Sequence, residues 1–116
     1  MLIEVLLTDT FTSWFKKQPS QARADILASI EALEEAGPLK GRPLVDKVKH
    51  SDYKNMKELR VSSQGQPIRV YRIYFAFDPQ QRAVMLIGGN KVGNNRFYKQ
   101  MTPKADRLYK EYLGSL

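Results

Sequence analysis

Residues 56–87 read MKELRVSSQGQPIRVYRIYFAFDPQQRAVMLI, which predicts three consecutive strands joined by two short polar turns. We expect the strands at 56–61, 68–77 and 83–87, and the turns at 62–67 and 78–81. Short connections of this kind favour antiparallel pairing. The third strand is apolar at every position, so it should be buried on both faces inside the sheet.

Period-2 alternation divides the middle strand into two faces. The first is largely aromatic and should pack on helices; it comprises Arg69, Tyr71, Ile73, Phe75 and Phe77. The second comprises Ile68, Val70, Arg72, Tyr74 and Ala76. An arginine in the middle of a strand requires water, a counter-charge or an anionic ligand. The face that carries Arg72 is therefore the predicted functional surface.

The composition is that of one ordinary globular domain. The chain has 116 residues, of which 42% are apolar and 27% are charged, and it contains no cysteine. The absence of cysteine is consistent with a reducing compartment. The start of the chain reads as a strand because Glu4 interrupts its apolar run, and no apolar run approaches the length that crosses a bilayer. We expect a cytoplasmic protein without a membrane partner.

Positive charge is concentrated in the predicted sheet and its loops. The formal net charge of the chain is +7, whereas the first 39 residues carry more acidic than basic side chains. A phosphate backbone would be attracted to the basic part of the chain. The basic residues predicted to bind RNA are Lys49, Lys54, Lys57, Arg69 and Arg96.

The flanking segments predict an α+β domain. A short N-terminal strand at 2–7 is followed by two helices, one before Pro19 with Asp9 as its N-cap and one from Ser20 to the Gly37-Pro38 pair. These helices should form a hairpin on the aromatic face of an antiparallel sheet of about four strands. The connection at 38–55 is predicted to be a long basic loop. A C-terminal helix is expected from Thr102, with Pro103 at its first position.

The residue inventory excludes several kinds of catalytic site. With one histidine and no cysteine, the chain has no metal-ligand spacing and cannot hold a pair of catalytic histidines. The Gly88-Gly89-Asn90-Lys91 segment does not match a nucleotide-binding loop. Any enzyme built on arginine, lysine, tyrosine and glutamate suits RNA cleavage by the RNA's own 2′-hydroxyl, because the protein then only orients the strand and stabilises charge on the phosphate. No cofactor or metal is expected.

The segments MKELRV, YRIYFAFDP, AVMLIGGNKVG and NRFYKQMTPKADRLYKEYL resemble toxins of the RelE/ParE superfamily, in particular its HigB-like, phage-derived branch. The resemblance covers residues from about 2 to 113 and implies a single RelE-like domain over 1–116. It further implies a type II toxin that cleaves mRNA on the ribosome as a metal-independent endoribonuclease and inhibits translation. The implied partners are a helix-turn-helix antitoxin, the ribosome with its mRNA, and operator DNA through the antitoxin.

The same resemblance implies five catalytic residues. Arg72 matches a phosphate-binding arginine of the central strand, and Glu58 and Arg60 match positions of the preceding strand that face the RNA. Lys91 lies near a basic residue after the last strand, and Tyr98 lies near a C-terminal tyrosine that acts on the substrate. Since many relatives have lysine at the position of Glu58, this residue is predicted to be either a general base or a partner that orients Arg60.

Alternative interpretations remain open at this stage. Arg72 can instead form a cross-strand salt bridge with Glu58, and Tyr98 can be a tyrosine at the edge of the core. If the register of the middle strand differs by one residue, Arg69 takes the place of Arg72 in the cleft. The superfamily also includes gyrase inhibitors without nuclease activity, and a basic RNA-binding module without turnover is a third possibility.

Overall fold

The computed structural model of the protein describes residues 2–37, 41, 44–63, 65 and 67–116. Within these residues the chain forms five strands and three helices around one mixed sheet. The elements in chain order are β1 (Val5–Leu7), α1 (Asp9–Lys16), α2 (Ser20–Ala36), β2 (Val45–Lys47), β3 (Met56–Ser63), β4 (Arg69–Phe77), β5 (Ala83–Asn90) and α3 (Phe97–Gly114). The strand order is β1-β5-β4-β3-β2. The predicted α+β fold is confirmed.

The predicted meander forms the centre of the sheet. Strands β3, β4 and β5 pair antiparallel, and β5 lies between β4 and the N-terminal strand β1, which pairs with it in parallel. The sheet is therefore mixed and has one strand more than the predicted four or so. The additional strand is β2, which pairs antiparallel with β3 inside the connection predicted to be a loop. Positions 38–40 and 42–43 of that connection, and 64 and 66 of the first turn, lie outside the described residues.

The helical hairpin covers the aromatic face of the sheet, as predicted. The buried side chains of α2 pack with Phe11 of α1 against the β4 side chains Tyr71, Ile73 and Phe75. On α2 these are Ala22, Ile26, Ile30 and Leu33. The N-cap of α1 is Thr8 rather than Asp9, because its hydroxyl accepts a hydrogen bond from the Phe11 N–H at 3.2 Å.

The helix α3 covers only part of the opposite face of the sheet. Phe97 and Ala105 of this helix are buried against Tyr74 and Ala76 of β4. The helix begins at Phe97, so the predicted start at Thr102 is wrong. Burial of Phe97, which stacks with Tyr74 at a ring-centroid distance of 6.4 Å, holds the additional turn in place.

Strand β5 extends through the glycine pair that was predicted to follow it. A Cβ atom at Gly88 would lie 2.5 Å from the Trp14 ring on one face, and a Cβ atom at Gly89 would lie 2.9 Å from the Phe97 ring on the other. The two glycines therefore allow helices from both layers to pack directly on the strand backbone.

The β4–β5 turn is fastened by a buried carboxylate. The Asp78 side chain contacts the Arg82 guanidinium at 2.8 Å and accepts a hydrogen bond from the Tyr112 hydroxyl at 2.7 Å. Burial opposes ionisation, yet hydrogen bonds from the Arg82 backbone, Tyr112 and the Arg82 side chain lower the pKa of Asp78 to about 2. This cluster ties the end of α3 to the sheet.

None of the described helices combines the length and the apolar composition that are needed to cross a membrane.

Candidate active site

The part of the sheet that α3 leaves uncovered carries two arginines side by side. Arg60 of β3 lies directly opposite Arg72 of β4, and both strands present these side chains on the face occupied by α3. Like charges opposite one another destabilise a sheet unless an anion lies between them. The Glu58 carboxylate on the same face supplies part of that compensation.

Glu58 and Arg72 form a buried ion pair. Glu58 Oε2 lies 3.5 Å from Arg72 Nε and 3.9 Å from Arg60 Nε. Glu58 and Arg72 are each only 5% exposed, whereas Arg60 is more open to solvent. The cross-strand salt bridge considered as an alternative therefore exists, in a diagonal register that leaves Arg60 at the mouth of the cleft.

Tyr98, on the first turn of α3, completes the cluster. Arg72 Nε donates a hydrogen bond to the Tyr98 hydroxyl at 3.3 Å, and Arg72 Nη1 donates to the Tyr71 carbonyl at 3.0 Å. The Lys91 ammonium lies 5.3 Å from the centroid of the Tyr98 ring, which is a cation–π distance. Tyr98 keeps 38% of its surface exposed, so it is not an ordinary core tyrosine.

Two tyrosine hydroxyls in and below the cluster are held in the neutral form. Partial burial, followed by interaction with the Glu58 carboxylate, raises the pKa of Tyr98. Burial raises the pKa of Tyr74 to about 12, and its hydroxyl shares a 2.8 Å hydrogen bond with Thr102. Tyr98 can therefore donate a proton at neutral pH, while Tyr74 supports the floor of the site.

A shallow groove opens beside the arginine pair. It is lined by Leu44, Arg60, Ser62 and Arg72. Leu44 and Ser62 were not predicted as site residues. The alternation of β3 places Ser62 two residues after Arg60 on the same face, which was a usable signal, but the position of Leu44 depends on the 2.8 Å bond from the Arg60 N–H to its carbonyl.

The structure brings together all five residues predicted to be catalytic. A continuous series of contacts joins Arg60, Glu58, Arg72, Tyr98 and Lys91. No group of three or more histidine or acidic side chains that could hold a metal is present in the described part of the chain. The cationic and hydroxyl groups of Arg60, Arg72, Lys91 and Tyr98 are available for an anionic ligand.

The residues predicted to bind RNA are more dispersed. Lys57 and Arg69 alternate with Glu58 and Arg72, so they lie on the face of the sheet that α1 and α2 cover and do not line the cleft. This settles that Arg72, not Arg69, faces the cleft. Arg96 is exposed and immediately precedes α3, two residues from Tyr98.

Lys49 and Lys54 are exposed in the segment that leads into β3. They lie near Met56, and Met56 is roughly 13 Å along the strand from Arg60 at the usual rise per residue. The carboxylate of Asp106 on α3 fixes this segment by accepting bonds from Ser51 and the Asp52 backbone. These lysines therefore form a separate basic surface and do not line the cleft.

Comparison with known proteins gives matches along most of the chain. Residues 13–110 match the family model described as phage derived protein Gp49-like (DUF891). The candidate toxin HigB3 of Mycobacterium tuberculosis is 41% identical over 112 residues, which are 96% of this chain and 94% of that protein. The candidate toxin HigB2 of the same organism is 42% identical over 107 residues, or 91% of this chain; the match spans only 52% of HigB2. No solved structure is a significant match.

Proposed function

We propose that this chain, which belongs to the Gp49-like family of phage-derived proteins and is HigB-like, is the toxin of a type II toxin–antitoxin pair that cleaves mRNA on the ribosome. Two relatives that carry toxin names match more than nine-tenths of the chain. The finer assignment, to RNA cleavage, depends on the chemistry of the cleft.

The observation that carries the proposal is the Arg60–Arg72 pair beside a protonated tyrosine. Two guanidinium groups on adjacent strands can together bind the non-bridging oxygens of one phosphate. Preorganised positive charge of this kind stabilises the extra negative charge that a phosphate gains in the transition state. A site with this composition needs no metal ion to act on a phosphodiester.

The reaction we propose is an internal transesterification. The 2′-oxygen of a ribose attacks the adjacent phosphorus while the bond from phosphorus to the 5′-oxygen breaks. The 2′-hydroxyl proton passes to the Glu58 carboxylate, and the Tyr98 hydroxyl gives its proton to the departing 5′-oxygen. The products are a 2′,3′-cyclic phosphate and a 5′-hydroxyl, and water is not consumed.

The protonation states suit these roles. The raised pKa of Tyr98 keeps its hydroxyl protonated at neutral pH, so this residue acts as the acid. Glu58 is the carboxylate of the cluster and is oriented by the two arginines, so it takes the role of proton acceptor. Lys91, stacked on the Tyr98 ring, holds the strand close to the acid.

The remaining partners follow from this function. The separate surface with Lys49 and Lys54, together with Arg96, offers exposed cations for ribosomal RNA or mRNA outside the cleft. A toxin requires a cognate antitoxin, which we expect to be a helix-turn-helix protein that also binds operator DNA. The toxin acts in the cytoplasm, where its substrate is translated.

The test is brief induction of the chain in cells followed by mapping of new mRNA 5′ ends. We expect cuts within translated frames for the parent chain and for Lys57→Ala, which removes a cation on the face of the sheet that α1 and α2 cover. Arg60→Ala and Tyr98→Phe should lose the cuts while the proteins remain folded. Arg72→Lys is preferable to Arg72→Ala, because Arg72 is buried against Glu58 and truncation would also affect folding.

Other outcomes would point to a different function. Cutting that survives both Arg60→Ala and Tyr98→Phe at the level of the parent would refute the assignment of the cleft. Growth arrest with intact mRNA would exclude the nuclease. A gyrase inhibitor would then be the better hypothesis if a DNA-damage response accompanied the arrest.

A further inference from the structure

A small apolar surface borders the cationic cleft where β4 begins and β5 ends. It consists of Ile68, Val70 and Val92, and we refer to it as the apolar ledge. Ile68 is 53% exposed and Val92 is 52% exposed, while Val70 is half-buried. Val70 lies two residues before Arg72 in β4 and opposite Ser62, so it shares the open face with both arginines.

The Asn90 side chain links two residues of the ledge. Asn90 Oδ1 accepts hydrogen bonds from the Val70 N–H at 3.1 Å and from the Val92 N–H at 3.2 Å. A backbone bond from the Lys91 N–H to the Val70 carbonyl, at 2.8 Å, fastens the same turn. Gly93, with φ of 72°, allows the chain to turn away immediately afterwards. Val92 is therefore fixed relative to Val70 of β4.

The ledge continues directly into the cationic groups. Lys91 connects it to the Tyr98 ring, and Arg72 follows Val70 on the same strand face. An anionic polymer bound at the arginines would therefore place its next uncharged groups over aliphatic side chains. In RNA those groups are the bases, which have apolar faces that pack on protein side chains.

We propose that the apolar ledge is a nucleobase-binding subsite, which receives the base of a nucleotide whose phosphate lies between Arg60 and Arg72. The inference rests on the proposed function in one respect, since it takes RNA to be the ligand of the cleft. Phosphate contacts hold the strand, and the ledge adds affinity that depends on the presence of a base. Asn90 is the positioning residue of this subsite.

The experiment compares two probes of equal charge on the full-length protein. The first is a fluorescent ten-nucleotide RNA with 2′-O-methyl groups, which cannot be cleaved by its own hydroxyls; the second is an abasic oligomer of the same length. The parent should bind the first probe more tightly. Ile68→Ser and Val92→Ser should each weaken binding of the first probe by roughly three- to tenfold, because each substitution removes about half of an aliphatic side-chain surface from contact with a base. Binding of the abasic probe should remain unchanged.

Two controls separate this effect from loss of charge or of structure. Leu27→Ser alters a leucine on α2 that is 44% exposed, away from the sheet face, and should change neither affinity. Arg60→Ala should weaken both probes and reduce the dependence of binding on salt, whereas the ledge variants should leave the salt slope unaltered because they remove no phosphate contact.

The outcomes distinguish the ledge from the nuclease. Equal binding of both probes by the parent, or no binding of either, would overturn the ledge as a base-binding subsite. Discrimination lost equally in the ledge variants and in Leu27→Ser would overturn it as well. Base discrimination by a chain that never cuts mRNA would support the ledge and reject the nuclease. Cleavage in cells without base discrimination in vitro would do the reverse.

Discussion

Replacing Glu58 with alanine should destabilise the protein more than replacing either neighbouring arginine. Its carboxylate lies 3.5 Å from Arg72 Nε and is the counter-charge of that buried guanidinium in the described part of the chain. Without it, the partners that Arg72 retains among the described residues are neutral acceptors, the Tyr98 hydroxyl and the Tyr71 carbonyl. Arg60 would also face Arg72 directly across the strands without the anion that reduces their repulsion.

The magnitude follows from the contact distances. At 3.5 Å a charge pair is worth roughly 5 kcal/mol at an effective dielectric constant of about 20, and removing one partner of a buried pair costs about 3–5 kcal/mol. We expect the Glu58→Ala cost near the lower end, about 3 kcal/mol, because the two neutral acceptors remain. Arg72→Ala should cost roughly 1 kcal/mol less, since Glu58 keeps Arg60 as a counter-charge.

Urea unfolding provides the measurement. Trp14, the only tryptophan, packs edge-on against Tyr71 at a ring-centroid distance of 5.6 Å and reports loss of the core by fluorescence. The matched control is Arg60→Ala, which removes a more exposed charge at 3.9 Å and should cost about 1 kcal/mol or less. The double variant Glu58→Ala/Arg72→Ala should cost about 1–3 kcal/mol less than the sum of the single variants.

Two results would refute this account of the cluster. One is a Glu58→Ala protein that is no less stable than Arg60→Ala. The other is additivity of the Glu58 and Arg72 substitutions, which would mean that the two buried charges do not interact.

Three further outcomes are expected. Gly88→Ala places a Cβ atom 2.5 Å from the Trp14 ring and should lower the free energy of unfolding by about 1–3 kcal/mol. Gly114→Ala is the control, because its Cβ atom meets open space. Equal urea midpoints for the two variants would contradict the packing argument. The pKa of Asp78 is lowered from 3.8 to about 2 on folding, so its contribution to the free energy of unfolding is complete above about pH 4 and is lost as the pH falls towards 2. After allowance for solvent screening this contribution is roughly 1–2 kcal/mol. Asp78→Asn should remove it from the acid-unfolding profile, whereas an unchanged profile would show that Asp78 is not responsible. Because the pKa of Tyr98 is raised above 10.0, the rate of cleavage in purified translation reactions should show no tyrosine-dependent decline below about pH 10. Tyr98→Phe should lower this rate at every pH. If the rate declined near neutrality and Tyr98→Phe removed that decline, Tyr98 would be excluded as the acid.

The two faces of the central strand were predictable because their cause is local. Side chains in a strand alternate strictly, so an arginine in the middle of the strand is enough to distinguish the open face from the largely aromatic one. Arg72 and Arg69 were assigned to the correct faces on this basis.

Errors arose where distant residues decided the local structure. Nothing near Val45 indicates β2, since three residues form a strand there only because the edge of β3 is available for pairing. Thr102 and Pro103 read as the start of a helix, but burial of Phe97 against Tyr74 extends α3 towards the N-terminus.

By itself, the sequence determined the fold class, the three central strands and the residue types of the cleft, because alternation, turn composition and the absence of cysteine are properties of short segments. Only the tertiary structure decided that Glu58 lies between two arginines, that Tyr98 reaches Arg72 and that Lys91 stacks on Tyr98. These contacts join residues up to 26 positions apart, from Arg72 to Tyr98. Their geometry depends on strand register and on the docking of α3, which result from packing of the whole chain.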